Sequence, residues 1–391
     1  MPAIRVTHVI NGLERGGAES VLARLVTRLD RQAIESRVIS LTGHGPIGTE
    51  LVDAGVPVSV LDFSWNLSAA AQCGRLVRTI RNGAPDIVQT WMFHSDLIGG
   101  LAARLAGSAP VIWNLRQSNF DLDQTKRLTL VTARVAAKLS PYVPWAIVCG
   151  SYAAREVHSG RGYDASKMLV IANGFDSEHF KPDADSRGAF RARLGESESS
   201  FLIGLPARYH PQKDHVTFLR AAAEVARTVP SSRFVMFGDR VEAENAELLR
   251  LVSDYGLSDR VRMIGPLADP REAYCAMDIV VSSSAFGEGF PNVIGESMSC
   301  AVPCIATDVG DSRRLIGSTG IVVPPSQPQA LAQAIETLAK MGDGRRRAMG
   351  QNARRRIQTE FPIDMMVRRY ELLYRRVFSQ RFARIRLAAA Q

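Results

Sequence analysis

The chain of 391 residues is 46% hydrophobic and 22% charged, a globular composition that excludes a disordered chain and predicts two or three domains rather than one. No apolar run approaches eighteen residues, so no transmembrane helix is predicted. The net charge of +9 is local: from Lys340 to Gln391 fourteen Lys or Arg face four Asp or Glu, while the remainder is nearly neutral, which argues for an anionic partner of that segment and against a generally basic protein.

Residues 4–10 read as the first strand, entered without the basic, apolar, small layout of a signal peptide. Five cysteines, an odd number with no C-x-x-C pair, fit reduced thiols, so a cytoplasmic location is expected. Asn11 to Glu19 then turns into a helix whose apolar stripe is Val21, Leu22, Leu25, Val26 and Leu29. The Gly16-Gly17 turn that opens it lets backbone approach a phosphate closely. Its spacing misses the G-x-G-x-x-G dinucleotide fingerprint, which counts against a dehydrogenase.

Strand candidates at 37–41, 58–61, 87–90 and 111–114 alternate with helices near 68–82 and 96–106, the pattern of a parallel sheet covered on both faces. Ligands of such sheets bind outside the carboxyl ends of the strands. His94 lies just past one such end; the plainer reading of a lone histidine is a satisfied polar residue beside a helix cap. Residues 120–146 mix apolar, basic and aromatic side chains, which suits either a helix lying on a membrane surface or one packing a face on its domain. Asp121-Leu122-Asp123 has the spacing of a metal pair but stands where helix-capping aspartates belong, and Asp183-Ala184-Asp185 falls in a polar stretch, so no metal is expected. Strand ends at 147–151 and 168–176 close the first domain, and the charged, uneven residues 183–199 read as a linker.

A second sheet begins at 201–207. In the loop after it Arg208 and Lys213 stand five apart, a planar fork and a point charge suited to a diphosphate, or else two unrelated cations in a solvated loop. Further strands are expected at 233–239, 261–265, 278–282 and 302–307, with Gly238 and Ile264 at or near strand ends. Between the last two lie the turn Gly287-Glu288-Gly289, then Phe290, and a helix expected to begin at Pro291. Its free N–H groups at Asn292, Val293 and Ile294 form an anion site. Glu288 and Glu296, eight positions apart, either grip a polyhydroxylated, phosphate-bearing ligand or serve as a cap and a solvated glutamate. Helices are expected at 328–341, 343–359 and 363–386.

Four strings in this order carry a resemblance: Gly16-Gly17-Ala18-Glu19, the Arg208 to Lys213 loop, Glu288 to Glu296 as Glu-x7-Glu, and Gly320-Ile321-Val322-Val323-Pro324-Pro325. Together they resemble the retaining glycosyltransferases of family four, also called group 1, over about residues 4 to 375. Ala207 and Asp214 replace glycines of that pattern, and Asp311 stands where the family often has another glycine.

The resemblance implies the GT-B fold, an α/β fold of two doubly wound Rossmann-like domains facing a central cleft. An acceptor domain would span 1–182 and a nucleotide-sugar domain 200–361, with a basic helix at 362–391 crossing back to the first. It implies retaining transfer of a sugar from a nucleotide sugar, with a UDP-sugar expected, to a saccharide or lipid-linked saccharide of a surface polysaccharide pathway, with no cofactor and no metal. Arg208 and Lys213 would hold the leaving diphosphate, Glu288 the donor sugar, Glu296 the ribose, and His94 would lie beside the sugar. Gly16, Gly17, Gly238, Ile264, Gly289, Phe290, Pro291, Asn292 and Val293 would complete the donor site. The basic tail and the 126–145 segment together suggest docking on the anionic inner face of the cytoplasmic membrane. Nucleic acid is not expected, since no recognition motif accompanies the basic tail. The competing readings are a catalytically silent sugar-nucleotide-binding protein, against which the intact Arg208, Lys213, Glu288 and Glu296 argue, and a sugar-nucleotide epimerase, which would consume donor without an acceptor.

Overall fold

The computed structural model describes residues 3–63, 69–107, 109–118 and 127–389, with the side chains of 69 and 382–389 left aside. Asp121 and Asp123 therefore lie outside the described residues. The chain folds as two units, Met1–Asn173 with Asp364–Gln391, and Gly174–Ile363.

Among the described residues the first unit holds seven parallel strands: β1 (Ile4–Ile10), β2 (Ile34–Ser40), β3 (Val58–Val60), β4 (Ile87–Trp91), β5 (Val111–Leu115), β6 (Ala146–Cys149) and β7 (Met168–Val170). Their order in the sheet is β3-β2-β1-β4-β5-β6-β7. Strands β4 and β5 are buried at every residue, as expected of strands covered on both faces. On one face Val9, Val88, Trp113 and Leu115 join an apolar core with residues of the helices Ala69–Asn82, Phe93–Ala106 and Arg127–Leu139.

The opposite face sets polar side chains among apolar ones. The pairings His8 with Gln89 and Gln89 with Ile112 put His8, Gln89, Trp91 and Asn114 on one side of the sheet, because side chains alternate along a strand. The helix Ile363–Ala389 covers that side: Tyr374 Oη donates to Gln89 Oε1, and Asn114 Nδ2 donates to Tyr370 Oη at 3.0 Å. Arg116 Nη2 reaches the same Tyr370 oxygen at 2.6 Å and Nη1 donates to Asn173 Oδ1 at 2.6 Å. These polar strand residues, buried away from water, make the helix's tyrosines obligatory partners.

The second unit has six parallel strands among the described residues: β8 (Phe201–Pro206), β9 (Ser232–Phe237), β10 (Val261–Met263), β11 (Ile279–Ser282), β12 (Cys304–Thr307) and β13 (Ile321–Val323), in the order β10-β9-β8-β11-β12-β13. Here the central strand β8 carries only apolar residues and glycine, and its side chains fill a core with the helices His215–Thr228 and Pro328–Lys340. The segments entering and leaving this unit lie side by side, with Phe175 N donating to Phe361 O at 2.9 Å and Ile363 N donating to Phe175 O at 3.0 Å.

Two sequence expectations about the junction between the units differ from the structure. The division between units falls at Asn173 and Gly174 rather than at 182, and residues 183–199 hold the helix Ala184–Arg193 instead of a linker. Polarity misled because the polar groups pair internally. Asp183 caps the helix by accepting from Ser186 N at 3.0 Å, and the buried Arg191 donates to Ala276 O at 2.8 Å and to Ser197 O. Arg187 Nη2 donates to Asp278 Oδ1 at 3.0 Å.

Three histidines are buried deeply enough that desolvation resists their protonation: His8 is pushed down to about 3, His158 to about 4 and His215 to about 4. Their folded values lie below the unfolded one, so between about pH 6.5 and 4 the unfolded chain takes up protons that the folded chain refuses. The stability they contribute is complete above that window and is lost as pH falls through it. Each such group steepens the loss by up to about 1.4 kcal/mol per pH unit. Urea midpoints measured from pH 7 to 4.5 should fall steadily, and fall less in His158→Gln; a flat profile contradicts this account.

Candidate functional site

In each sheet the strand order reverses once, between β1 and β4 in the first unit and between β8 and β11 in the second. Where the order reverses, the two adjacent crossover helices leave on opposite faces and open a crevice at the carboxyl ends of the strands. The residues singled out from the sequence fall largely on loops at these two reversals.

In the second unit, the loop after β8 carries Arg208 and Lys213 and the loop after β11 carries Glu288. Backbone and hydroxyl groups tie the two loops: Ser283 Oγ donates to Lys213 O at 2.7 Å and Ala285 N donates to Gln212 O at 2.9 Å. Lys213 Nζ donates to Glu288 Oε1, and Ser284 Oγ donates to the same oxygen at 2.7 Å. Burial alone would raise the Glu288 carboxyl, but the Lys213 charge, the bonds from Lys213 and Ser284 and the charge of Arg208 outweigh it and hold the group below the usual glutamate range. Glu288 is thus an ionised carboxylate at neutral pH, buried and clasped by a lysine. Arg208 stays exposed, with Nη2 resting on Gln212 Oε1 at 3.3 Å.

Asp214, which replaces a glycine of the family pattern, directly follows Lys213, where a carboxylate could face the two cations. Its carboxylate instead caps the helix His215–Thr228, accepting from Thr217 N at 3.0 Å and Thr217 Oγ1 at 2.7 Å. Its backbone is left-handed (φ 48°), the conformation a glycine would adopt freely. At Gly238, φ is 146° and an added Cβ would lie 2.6 Å from the Ala207 carbonyl carbon, so only glycine lets the loop after β9 approach the backbone that presents Arg208.

Glu296 lies inside the helix Asn292–Ser299, buried, and accepts a hydrogen bond from Tyr274 Oη at 3.0 Å. Pro291 is the residue before this helix rather than its first residue, and the half-buried Asn292 and Val293 open the helix. The Phe290 ring stacks with Phe175 (6.1 Å between centroids) and packs on Phe361 (5.3 Å), so only its backbone remains to meet a ligand. Gly289 O accepts from Asp311 N at 2.9 Å, and Ile264 is half-buried past the end of β10. Ser284 and Tyr274 were not foreseen. Ser284 sat in an uninformative serine run, and Tyr274 lies 22 positions from its partner.

In the first unit Gly16 precedes the helix Gly17–Arg28, and its carbonyl accepts from Ser20 N at 3.0 Å. A Cβ there would meet Glu19 Oε2 at 2.3 Å. His94 is in the first turn of the helix Phe93–Ala106, half-buried, with its ring held neutral by that burial. The residue before that helix, Met92, has φ 74° and ψ 157°, a region costly for any side chain and characteristic of functional loops. Two residues past His94, Asp96 is fully buried; Thr90 Oγ1 donates to it at 2.5 Å and Asn114 N at 3.3 Å. Desolvation outweighs these bonds and keeps its carboxyl well above the usual range.

The second unit therefore offers paired cations, a clasped carboxylate and a helix N-terminus, a set suited to a phosphate-bearing, hydroxyl-rich ligand. Residues 200–341 match the family model described as Glycosyl transferases group 1, and residues 15–179 match that of Glycosyltransferase Family 4. The chain is 28% identical over 343 residues to UDP-Gal:alpha-D-GlcNAc-diphosphoundecaprenol alpha-1,3-galactosyltransferase of Escherichia coli, covering 84% of this chain and 86% of that protein. It is 34% identical over 223 residues to D-inositol 3-phosphate glycosyltransferase of Kineococcus radiotolerans, covering 52% and 51%. Among solved structures, Anabaena HepE in complex with UDP-glucose superposes with a TM-score of 0.82 at 23% identity, over 94% of this chain and 98% of that one, a likeness of fold.

Proposed function

Because the chain belongs to the family 4, group 1 glycosyltransferases of GT-B fold, we propose that it moves a sugar from a UDP-sugar to a hydroxyl of a saccharide or lipid-linked saccharide in surface polysaccharide synthesis. The Escherichia coli relative, whose name gives UDP-galactose as donor and a diphosphoundecaprenol-linked sugar as acceptor, supports that reading, as does the UDP-glucose held by HepE.

The observation that carries the proposal is the Lys213–Glu288 clasp beside Arg208 at the sheet reversal. A donor diphosphate would draw Lys213 and Arg208 onto its oxygens and free Glu288 to accept from hydroxyls of the donor sugar. As the bond to the sugar lengthens, negative charge gathers on the leaving diphosphate, and preorganised cations and N–H dipoles stabilise it without further reorganisation. Glu296, held by Tyr274, would accept from the ribose hydroxyls. The neutral His94 would serve as a hydrogen-bond partner of the sugar. The acceptor attacks on the face the diphosphate leaves, and a phosphate oxygen takes the acceptor's proton, so configuration is retained; a two-step route with Glu288 as nucleophile is the alternative. Two cations do the electrostatic work that a metal would otherwise do. Transfer assays in excess chelator, with the product anomer read by NMR, should show undiminished turnover and the donor's anomeric configuration. An inverted product, or dependence on a divalent ion, would overturn the mechanism.

Docking on an anionic membrane face belongs to the same proposal. The helix Arg127–Leu139 exposes Leu128, Val131 and Val135 beside Arg127, Arg134 and Lys138 and carries no acidic residue, and Tyr142 beyond it is 75% exposed. Such a face buries its apolar residues at the headgroup boundary while each cation near the surface contributes about 1 kcal/mol. No helix among the described residues is long and apolar enough to cross a membrane. Co-sedimentation with phosphatidylglycerol vesicles should be strong at low salt and fall as salt rises; binding that is indifferent to salt argues against the electrostatic part.

A further inference from the structure

The loop after β9 carries an arginine in a conformation that side chains rarely adopt. Arg240 has φ 60°, and left-handed residues other than glycine persist only where the surroundings fix them. The surroundings do so here. Tyr209 N donates to Asp239 O at 2.8 Å, and Asn245 Nδ2 donates to Arg240 O at 2.7 Å, clamping the backbone on both sides. The guanidinium carbon is thereby held 5.8 Å from the centre of the Tyr209 ring, and Tyr209 is the residue next to Arg208. Burial, and after it the Glu247 carboxylate near the hydroxyl, push the Tyr209 phenol up to about 12. Arg240 itself is exposed and, among the described residues, has no carboxylate within ion-pair distance.

A second observation sets Arg240 in the same electrostatic neighbourhood as the two cations already described. Burial and then the charges of Arg208, Lys213 and Arg240 act together on His210 to hold its ring below the usual histidine range. Three cations thus converge on one short loop at the sheet reversal. Lys213 is paired with Glu288 and Arg208 rests on Gln212, whereas Arg240 is exposed, so an anionic ligand at this loop would supply the third cation's counter-charge.

We propose that Arg240 is a third cation for the donor's diphosphate, a specificity-determining residue that favours nucleoside diphosphates over nucleosides and monophosphates. The inference rests on the function proposed above. Tyr209 serves as the platform that keeps the guanidinium extended toward the ligand, since a cation over an aromatic face retains its donors at its edge.

The test uses the full chain, with UDP, UMP and uridine as probes in calorimetric titration, and the variants Arg240→Gly, Arg240→Lys and Lys213→Ala. Glycine at φ 60° removes strain, so Arg240→Gly should melt at or above the wild-type temperature in the absence of ligand. Its affinity for UDP should nevertheless weaken about tenfold, the scale of a charge-assisted hydrogen bond, with uridine unaffected. Arg240→Lys should recover part of the loss. UDP affinity within twofold of wild type in Arg240→Gly, while Lys213→Ala loses it, overturns this inference and leaves the proposed function standing. An equal loss for uridine and UDP also overturns it, assigning Arg240 to the nucleoside. If wild type binds neither UDP nor GDP nor ADP, the functional reading falls and this inference with it.

Discussion

Replacing Lys213 by alanine should lower kcat/KM for transfer about 10²–10³-fold, the usual consequence of losing one preorganised donor to a charge that develops in the transition state. The variant should still fold. The loop has supports besides the Lys213 side chain: the backbone N of Lys213 donates to His210 O at 2.9 Å and its carbonyl accepts from Ser283 Oγ at 2.7 Å, and both bonds survive truncation. What truncation removes is the partner of a buried carboxylate. Glu288 would keep Ser284 Oγ and the charge of Arg208, so the cost to stability is that of one lost charge-assisted bond, about 1–3 kcal/mol, rather than of a charge abandoned in the core. The Glu288 carboxyl should become less acidic for the same reason. Steady-state kinetics beside thermal melts separate the two effects. A turnover close to wild type would remove Lys213 from the diphosphate site.

The loop that carries this lysine was readable because buried parallel strands announce themselves as apolar runs. Residues 201–207 form such a run, and a loop leaving it toward a helix can only lie at a carboxyl end of the sheet. Arg208 and Lys213 were located by that argument, and the family resemblance supplied their roles. The partners that hold the site were not readable, because no local pattern links residues far apart in sequence. Tyr274 to Glu296 is one case. The tyrosines at 370 and 374, which hydrogen-bond Asn114 and Gln89 from 256 and 285 positions away, are another. The polar residues of β4 and β5 make sense only once a helix from the far end of the chain covers them. The same blindness turned the helix Ala184–Arg193 into a linker, since its arginines read as solvent-facing until Ala276 O and Asp278 supply acceptors. The stacking of the Phe290 ring with Phe175 and Phe361 is a further partnership that no local pattern announces.

Glu288→Gln should split binding from turnover. In the ligand-free protein the carboxylate occupies the ammonium that a diphosphate needs, and once the ligand is bound its negative charge remains close to the phosphates. Two like charges about 4 Å apart repel by about 1 kcal/mol in water and about 4 kcal/mol at an effective dielectric of 20. Glutamine keeps the shape and can still accept from Ser284, but it removes the repulsion and releases Lys213, so UDP should bind about tenfold more tightly, an effect near the low end of that range. Transfer should fall by at least about 10²-fold, because the charged acceptor for the donor sugar's hydroxyls is gone and tighter ground-state binding of the nucleotide does nothing for the transition state. The opposite movement of the two quantities identifies a residue that competes with the diphosphate for Lys213 while acting on the sugar. A variant that loses UDP affinity in step with turnover would instead make Glu288 a structural prop of the lysine, and the clasp would then be part of the scaffold rather than of the chemistry.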